Sequence, residues 1–240
     1  MLKAITKEAP ALQTELPGPN AQRIIASDDR VSSTSYTRFY PLVVRRGEGA
    51  VLEDVDGNLF LDFTAGIAVC NTGHCHPQVV EAVQRQAAEL MHMCGADFYY
   101  EPWERLANTL ARIAPGDSPK RVFFTNSGAE TVEAAIKLAR YHTGRHRLIA
   151  FHGAFHGRTL GALSLTGSKA TQRRRFGPLL SGVTHIPYSM AGLDELENTV
   201  FPRTAPPEDV AAVVVEPIQG EGGYVVPHPE FHSRLQAITR

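Results

Sequence analysis

The stretch on which the fold depends is Arg121-Val122-Phe123-Phe124-Thr125-Asn126-Ser127-Gly128-Ala129-Glu130-Thr131-Val132-Glu133-Ala134-Ala135-Ile136-Lys137-Leu138-Ala139. Its first five residues are apolar and aromatic at the centre, the pattern of a short buried strand. Beyond the turn the period changes. Val132, Ala135, Ile136 and Ala139 share one helical face, with Glu133 and Lys137 expected as an outward i, i+4 pair. Strand, turn and helix in that order open a parallel α/β unit. In the turn, Asn126 to Glu130, the small residues Gly128 and Ala129 leave the amides at the helix start unobstructed. The partial positive charge there suits a phosphate dianion, and Ser127 can add a hydroxyl donor. A plain helix cap by Asn126 or Ser127 fits the same residues equally well.

Downstream, strand and helix keep alternating. Arg147 to Phe151 reads as a strand, followed by a loop and a short helix near Leu160. A strand over Val183 to Pro187 and a polar helical stretch around Leu193 to Leu196 come next. The apolar run Val210 to Val215 has the composition of a central strand buried on both faces. Pro229 to Arg240 begins a helix.

Upstream the pattern is different. Residues 1 to about 30, with Pro10, Pro17, Gly18 and Pro19, show no helical or strand period and read as an arm. Val51 to Val55, Asp56-Gly57-Asn58 and Leu59 to Leu61 form an expected β-hairpin. After the breaker-rich Gly73-His74-Cys75-His76-Pro77, a helix places Val79, Val80, Val83, Ala87, Leu90 and Met91 on one face. A second helix starts at Glu101-Pro102-Trp103 with Trp103, Leu106, Leu110 and Ile113 as its expected buried stripe, and Pro115-Gly116 ends it.

Composition narrows the classes of function. With 43% hydrophobic and 20% charged residues in 240, the usage is globular. Lys plus Arg (24) nearly balances Asp plus Glu (25), so no overall field favours nucleic acid or an anionic membrane, and a small molecule or a second copy is the expected partner. Met1 to Pro10 holds no continuous apolar segment of the secretory kind, and no run approaches the roughly 20 apolar residues of a membrane span. Three cysteines, Cys70, Cys75 and Cys94, are too few for a disulfide framework. The expected location is the cytoplasm.

Ligands of open parallel sheets sit beyond the carboxyl ends of the strands, so the loops after Thr125, Phe151 and Val215 are expected to converge. The second loop, His152-Gly153-Ala154-Phe155-His156-Gly157-Arg158-Thr159, lets backbone approach a ligand at its glycines. Phe155 or His156 could stack on an aromatic ring, and Arg158 could grip a carboxylate; a solvated surface loop is the alternative. In the third, Glu216-Pro217-Ile218-Gln219-Gly220-Glu221-Gly222-Gly223, a carboxylate ending an apolar strand needs a specific partner. A Walker loop and a dinucleotide fingerprint are both missing. His74, Cys75 and His76 are adjacent and cannot all face one ion, so no metal site is expected.

Six ordered segments carry a resemblance: Gly57-Asn58-Leu59-Phe60-Leu61-Asp62-Phe63, Ala65-Gly66-Ile67-Ala68-Val69, Gly73 to Pro77, Thr125 to Glu130, Phe155-His156-Gly157-Arg158-Thr159 and Glu216 to Gly222. Together they resemble the N-terminal half of class III, pyridoxal-phosphate-dependent aminotransferases, most of all those acting on 4-aminobutyrate, with acetylornithine and ornithine aminotransferases close behind. The resemblance implies an α/β protein of the PLP-dependent transferase fold type I, like aspartate aminotransferase. Residues 1–75 would be an arm and small-domain segment, and residues 76–240 the first part of the large, mostly parallel sheet domain. It also implies a cytoplasmic homodimer that moves an amino group from an ω-amino acid to 2-oxoglutarate.

By the same resemblance, Ser127, Gly128 and Ala129 would bind the phosphate of pyridoxal 5'-phosphate, Phe155 would stack on its ring and His156 would lie beside it. Arg158 would take a substrate carboxylate, Ile67 would line the substrate channel, Glu216 would support the reacting centre and Glu221 would act as a gate. The family's Schiff-base lysine and pyridine-binding aspartate match none of these 240 residues, Lys3, Lys7, Lys120, Lys137 and Lys169 included. The isolated chain is therefore expected to be an inactive fragment, or a non-catalytic remnant that binds phosphate ligands or a full-length partner.

Overall fold

A computed structural model describes residues 8–240, and the first seven residues of the expected arm lie outside it. The chain divides into two compact units, one ending at Leu106 and one running from Ala107 to Arg240.

The first unit is built on an antiparallel sheet of β1 (Val44–Glu48), β2 (Val51–Asp54) and β3 (Leu59–Leu61), in that order. The β2–β3 hairpin is the expected one, with Leu52 opposite Phe60. Its turn is stiffened from within. Asp54 Oδ1 accepts the amides of Asp56 and Asn58, and Asn58 Nδ2 donates to Asp54 Oδ2 at 2.7 Å. The turn also explains a helix that the sequence reading missed in the arm, α1 (Pro19–Asp28). Asp56 accepts the amides of Asn20 and Ala21, both at 2.9 Å, and so caps α1 from a position about 35 residues away. A cap supplied by another element leaves no local signature.

A left-handed turn, α2 (Ala65–Ala68), leads to α3 (Pro77–Glu89) and then to α4 (Glu101–Ile113). The loop before α3 is tied down by His74: its backbone pairs with Gly49, and its Nε2 lies 2.6 Å from Asp62 Oδ2. That hydrogen bond, with others from Thr64 and Ala65, holds the Asp62 carboxyl below its usual range. Both helices form where expected, but their apolar stripes are not buried. Val83, Met91, Leu106 and Ile113 are exposed, and Trp103 and Leu110 lie at the edge of exposure. Periodicity fixes which residues share a face, and only a neighbour can cover it.

The second unit holds a parallel sheet ordered β5-β4-β6, with β4 at Arg147–Phe151, β5 at Val183–Ile186 and β6 at Val210–Val213. Alternate residues of β4 feed opposite cores, as the strand period requires. Leu148 and Ala150 join Ile136 of α5 (Gly128–Thr143) and Leu165 of α6 (Leu160–Leu165). Ile149 and Phe151 pack on the other face with Ile186, Leu193, Leu196, Phe231 and Leu235. These come from β5, α8 (Met190–Glu195), the π-helical turn after it and α10 (Phe231–Ile238); α7 (Ala170–Arg173) and α9 (Phe201–Arg203) are short connectors.

Three expectations are corrected here. Arg121 to Thr125 is not a strand, because among the described residues no strand pairs with it, and Phe123 is 76% exposed. The run Val210 to Val215 is not the buried centre: β6 is a half-buried edge, and the fully buried strand is β4. Glu133 does not pair outward with Lys137. It turns to the start of α6, accepting from Thr159 Oγ1 at 2.6 Å and from the Ala162 amide at 3.1 Å.

Candidate cofactor site

The three loops of the second unit do converge. Phe155 N donates to Glu216 Oε2 at 3.0 Å, so the second loop grips the carboxylate of the third. Gly157 rests on the first: a Cβ added there would stand 2.8 Å from Ala129 Cβ, and its φ of +132° is one that side chains rarely adopt. Gly128, Ala129, Val132, Phe155, His156, Gly157, Arg158 and Thr159 line one open cleft of about 680 Å³.

At the cleft floor α5 begins. Ser127 has extended backbone and its Oγ accepts the Glu130 amide at 3.2 Å, while Glu130 Oε2 accepts the Asn126 amide at 2.6 Å. This reciprocal pairing is a helix cap, so one of the two alternatives left open for the turn is present. It does not use the amides of Gly128 and Ala129, which open the helix and have no intrahelical acceptor. Nothing lies within 4 Å of where a Gly128 Cβ would be. The space beside Gly128 at this helix start is therefore open.

The wall is Phe155 and His156. Arg158 stands over the Phe155 ring, its guanidinium carbon 5.9 Å from the centroid. The His156 amide donates to Thr166 Oγ1 at 3.0 Å, while its Nε2 is buried with no hydrogen-bond partner among the described residues. Burial pushes the His156 imidazole below its ordinary pKa against the opposing pull of Glu216, so it is neutral at pH 7.

Glu216 is held at both oxygens, since Gly220 N donates to Oε1 at 3.2 Å. Its own carbonyl accepts from Tyr188 OH at 2.8 Å. Glu221 Oε1 lies 2.7 Å from Lys169 Nζ. Ile67 belongs to the first unit, where it is 91% exposed with a φ of +61°.

Two residues that the sequence reading passed over hold the site together. Gln219, buried, donates from Nε2 to the His152 carbonyl at 2.8 Å and staples the third loop to the second. A Cβ on Gly153 would meet its Oε1 at 2.5 Å, which explains that glycine. Thr166, fully buried, takes the His156 amide and donates to a carbonyl of the Gly157 region. The glycines flanking Gln219 hinted at a close approach, but not at which loop is approached.

Residues 31–240 match the class-III aminotransferase family. The chain belongs to this family. Its relatives include the 5-aminovalerate aminotransferase of Pseudomonas aeruginosa, 41% identical across 84% of the chain and 49% of the relative. An acetylornithine aminotransferase of Methanopyrus kandleri is 46% identical across 88% of the chain and 51% of the relative. Among solved structures, an (S)-enantioselective omega-transaminase from Thermomicrobium roseum superposes with a TM-score of 0.82 at 30% identity, covering 91% of this chain and 54% of that one. The class-III chain thus spans about half the length of the relatives it matches.

The expected fold, PLP-dependent type I, and the expected family are borne out. The family depends on pyridoxal phosphate, and the cleft suits that group: free helix amides for a phosphate, an aromatic ring beside them, and a neutral imidazole with an unbonded nitrogen.

Proposed function

We propose that this chain supplies the cofactor-phosphate side of a cytoplasmic, homodimeric transaminase that moves an amino group from an ω-amino acid such as 4-aminobutyrate to 2-oxoglutarate. Relatives named for 5-aminovalerate and 4-aminobutyrate support that donor class, and those named for acetylornithine support ornithine-type donors as the alternative. The observation that carries the reading is the meeting of the α5 start, Phe155 and the held carboxylate of Glu216 in one cleft. Bound pyridoxal phosphate supplies an electron sink for the exchange.

The residues of the chain then divide the work. The amides of Gly128 and Ala129 with the Ser127 hydroxyl bind the phosphate. Phe155 covers one ring face, and neutral His156 lies beside it without adding charge. Arg158 binds a substrate carboxylate in a bidentate geometry. Glu216, fixed by two amides, supports the reacting centre, and Glu221 gates the second carboxylate. The exposed stripe of Leu106 and Ile113 on α4 supports pairing with a second copy.

The 240-residue chain alone is inferred to bind the cofactor without turnover. Lys169 is ion-paired, Lys120 Nζ donates to the Gly116 and Ser118 carbonyls, and Lys137 is exposed on α5; Lys3 and Lys7 lie outside the described residues. Fluorescence titration should show pyridoxal phosphate binding well ahead of pyridoxal, and Ser127→Ala should weaken it about tenfold, the worth of one hydrogen bond to a charged group. Equal binding of the two vitamers would overturn the phosphate site. Transamination measured with the isolated chain would overturn the inactivity.

A second reading, amino-acid racemisation, is favoured by a relative named alanine/serine racemase from Pyrococcus horikoshii, 38% identical across 99% of the chain. It uses the same cleft. Turnover without any 2-oxo acid would select it.

A further inference from the structure

The carboxylate of Glu221 sits in a small built network. Ser168 Oγ donates to Gln172 Oε1 at 2.6 Å, which fixes the orientation of that amide. Gln172, buried on α7, therefore turns its Nε2 outward to Glu221 Oε1, 3.3 Å away. Lys169 Nζ reaches the same oxygen at 2.7 Å. Two donors from one short segment thus converge on a single oxygen of a residue 52 and 49 positions further along. The loop bearing Glu221 is closed by reciprocal backbone bonds between Gln219 and Val225, at 3.1 and 2.9 Å, and is otherwise rich in glycine.

We propose that Lys169 is a positioning residue that latches and neutralises Glu221, and so sets how readily the site accepts a substrate with two carboxylates. The proposal rests on the transaminase reading above. A bare carboxylate on the loop that carries Glu216 repels an anionic acceptor. Once paired to Lys169 and Gln172, that charge is compensated, so it no longer offsets the attraction of Arg158 for the acceptor. A donor with one carboxylate feels less of the difference. The pair is partly solvated, with side-chain exposures of 56% for Lys169 and 38% for Glu221, so its effect is a modest bias and is screened by salt.

The latch is tested first on the chain itself. Amide hydrogen exchange across residues 219–225 should quicken about two- to fivefold in Lys169→Met, the scale of a partly exposed pair. It should quicken equally in Glu221→Gln, with no further change in the double variant. On the pyridoxal-phosphate-loaded gene product that contains these residues, K169M should raise KM for 2-oxoglutarate by about the same factor and leave kcat unchanged. K169R should restore the wild-type value, and in an E221Q background K169M should have no effect. Unchanged exchange in K169M, or a KM effect that persists beside E221Q, overturns the latch. Cofactor binding measured on the same variants separates the two levels. If wild type fails to bind pyridoxal phosphate, the transaminase reading fails; if binding is intact and the exchange or KM pattern is absent, only the role of Lys169 fails.

Discussion

Two five-residue runs with apolar centres precede the floor and the wall of the cleft, and they have opposite fates. Arg147 to Phe151 becomes the central strand, and its residues from Leu148 to Phe151 are all 0% exposed. Arg121 to Thr125 has a comparable aromatic centre, yet among the described residues it joins no sheet and leaves Phe123 76% exposed. The first run has β5 on one side and β6 on the other, with helices over both faces. Being a strand is a property of a pair of segments, since half of every ladder belongs to a neighbour. An apolar sequence shows what can be buried, not whether a partner is at hand.

Truncation should break this comparison most sharply. Ile149→Ala, in the middle of β4, should cost about 2–5 kcal/mol in denaturant unfolding, whereas Phe123→Ala should change stability by less than about 0.5 kcal/mol. A large loss for Phe123→Ala would mean that this run finds cover in solution, from a second copy or another segment. Gly157→Ala comes next. The positive φ and the 2.8 Å approach of its Cβ to Ala129 should together cost about 1–3 kcal/mol. Because the clash separates the second loop from the start of α5, pyridoxal phosphate binding should weaken as well. A stable Gly157→Ala variant with wild-type binding would show that the loops are not wedged together as described.

The same contrast explains what could be read from sequence. Strand-helix alternation located β4, β5, α5 and α6, because period and turn chemistry are local. The glycines at 153 and 157 pointed to close backbone approach, and the three loops do meet. The misses share one cause, a partner distant in the chain. The cap of α1 comes from Asp56, Glu133 is drawn from an expected partner on its own helix to Thr159, and Gln219 grips the His152 carbonyl 67 residues away. Glu221 rests on Lys169, 52 positions before it. Residue type announced a need for a partner in each case, and topology chose it.

The smallest expected effect concerns acid, and it too separates the two runs. β4 is covered on one edge by β5, where Ala150 stands opposite His185. The His185 ring stacks on His152 with centroids 5.8 Å apart, and its Nε2 donates to the Leu165 carbonyl at 3.1 Å. Burial pushes its pKa below the ordinary value; the Leu165 carbonyl opposes this, while Arg173, His152 and His156 add to it. Unfolding releases the imidazole to its ordinary affinity near 6.5, so below that pH the unfolded chain binds the extra proton and the folded one does not. Stability contributed by the neutral ring is thus fully present above about pH 6.5 and declines as the pH falls towards the lowered value. Urea unfolding of the chain at pH 7.5 and 5.5 should show a lower midpoint in acid, and His185→Gln, whose amide can still donate to Leu165, should reduce that difference. His156, lowered by burial in the same way, keeps the remainder. A His185→Gln variant with an undiminished acid response would place the titrating group elsewhere and leave the β4–β5 edge indifferent to protons.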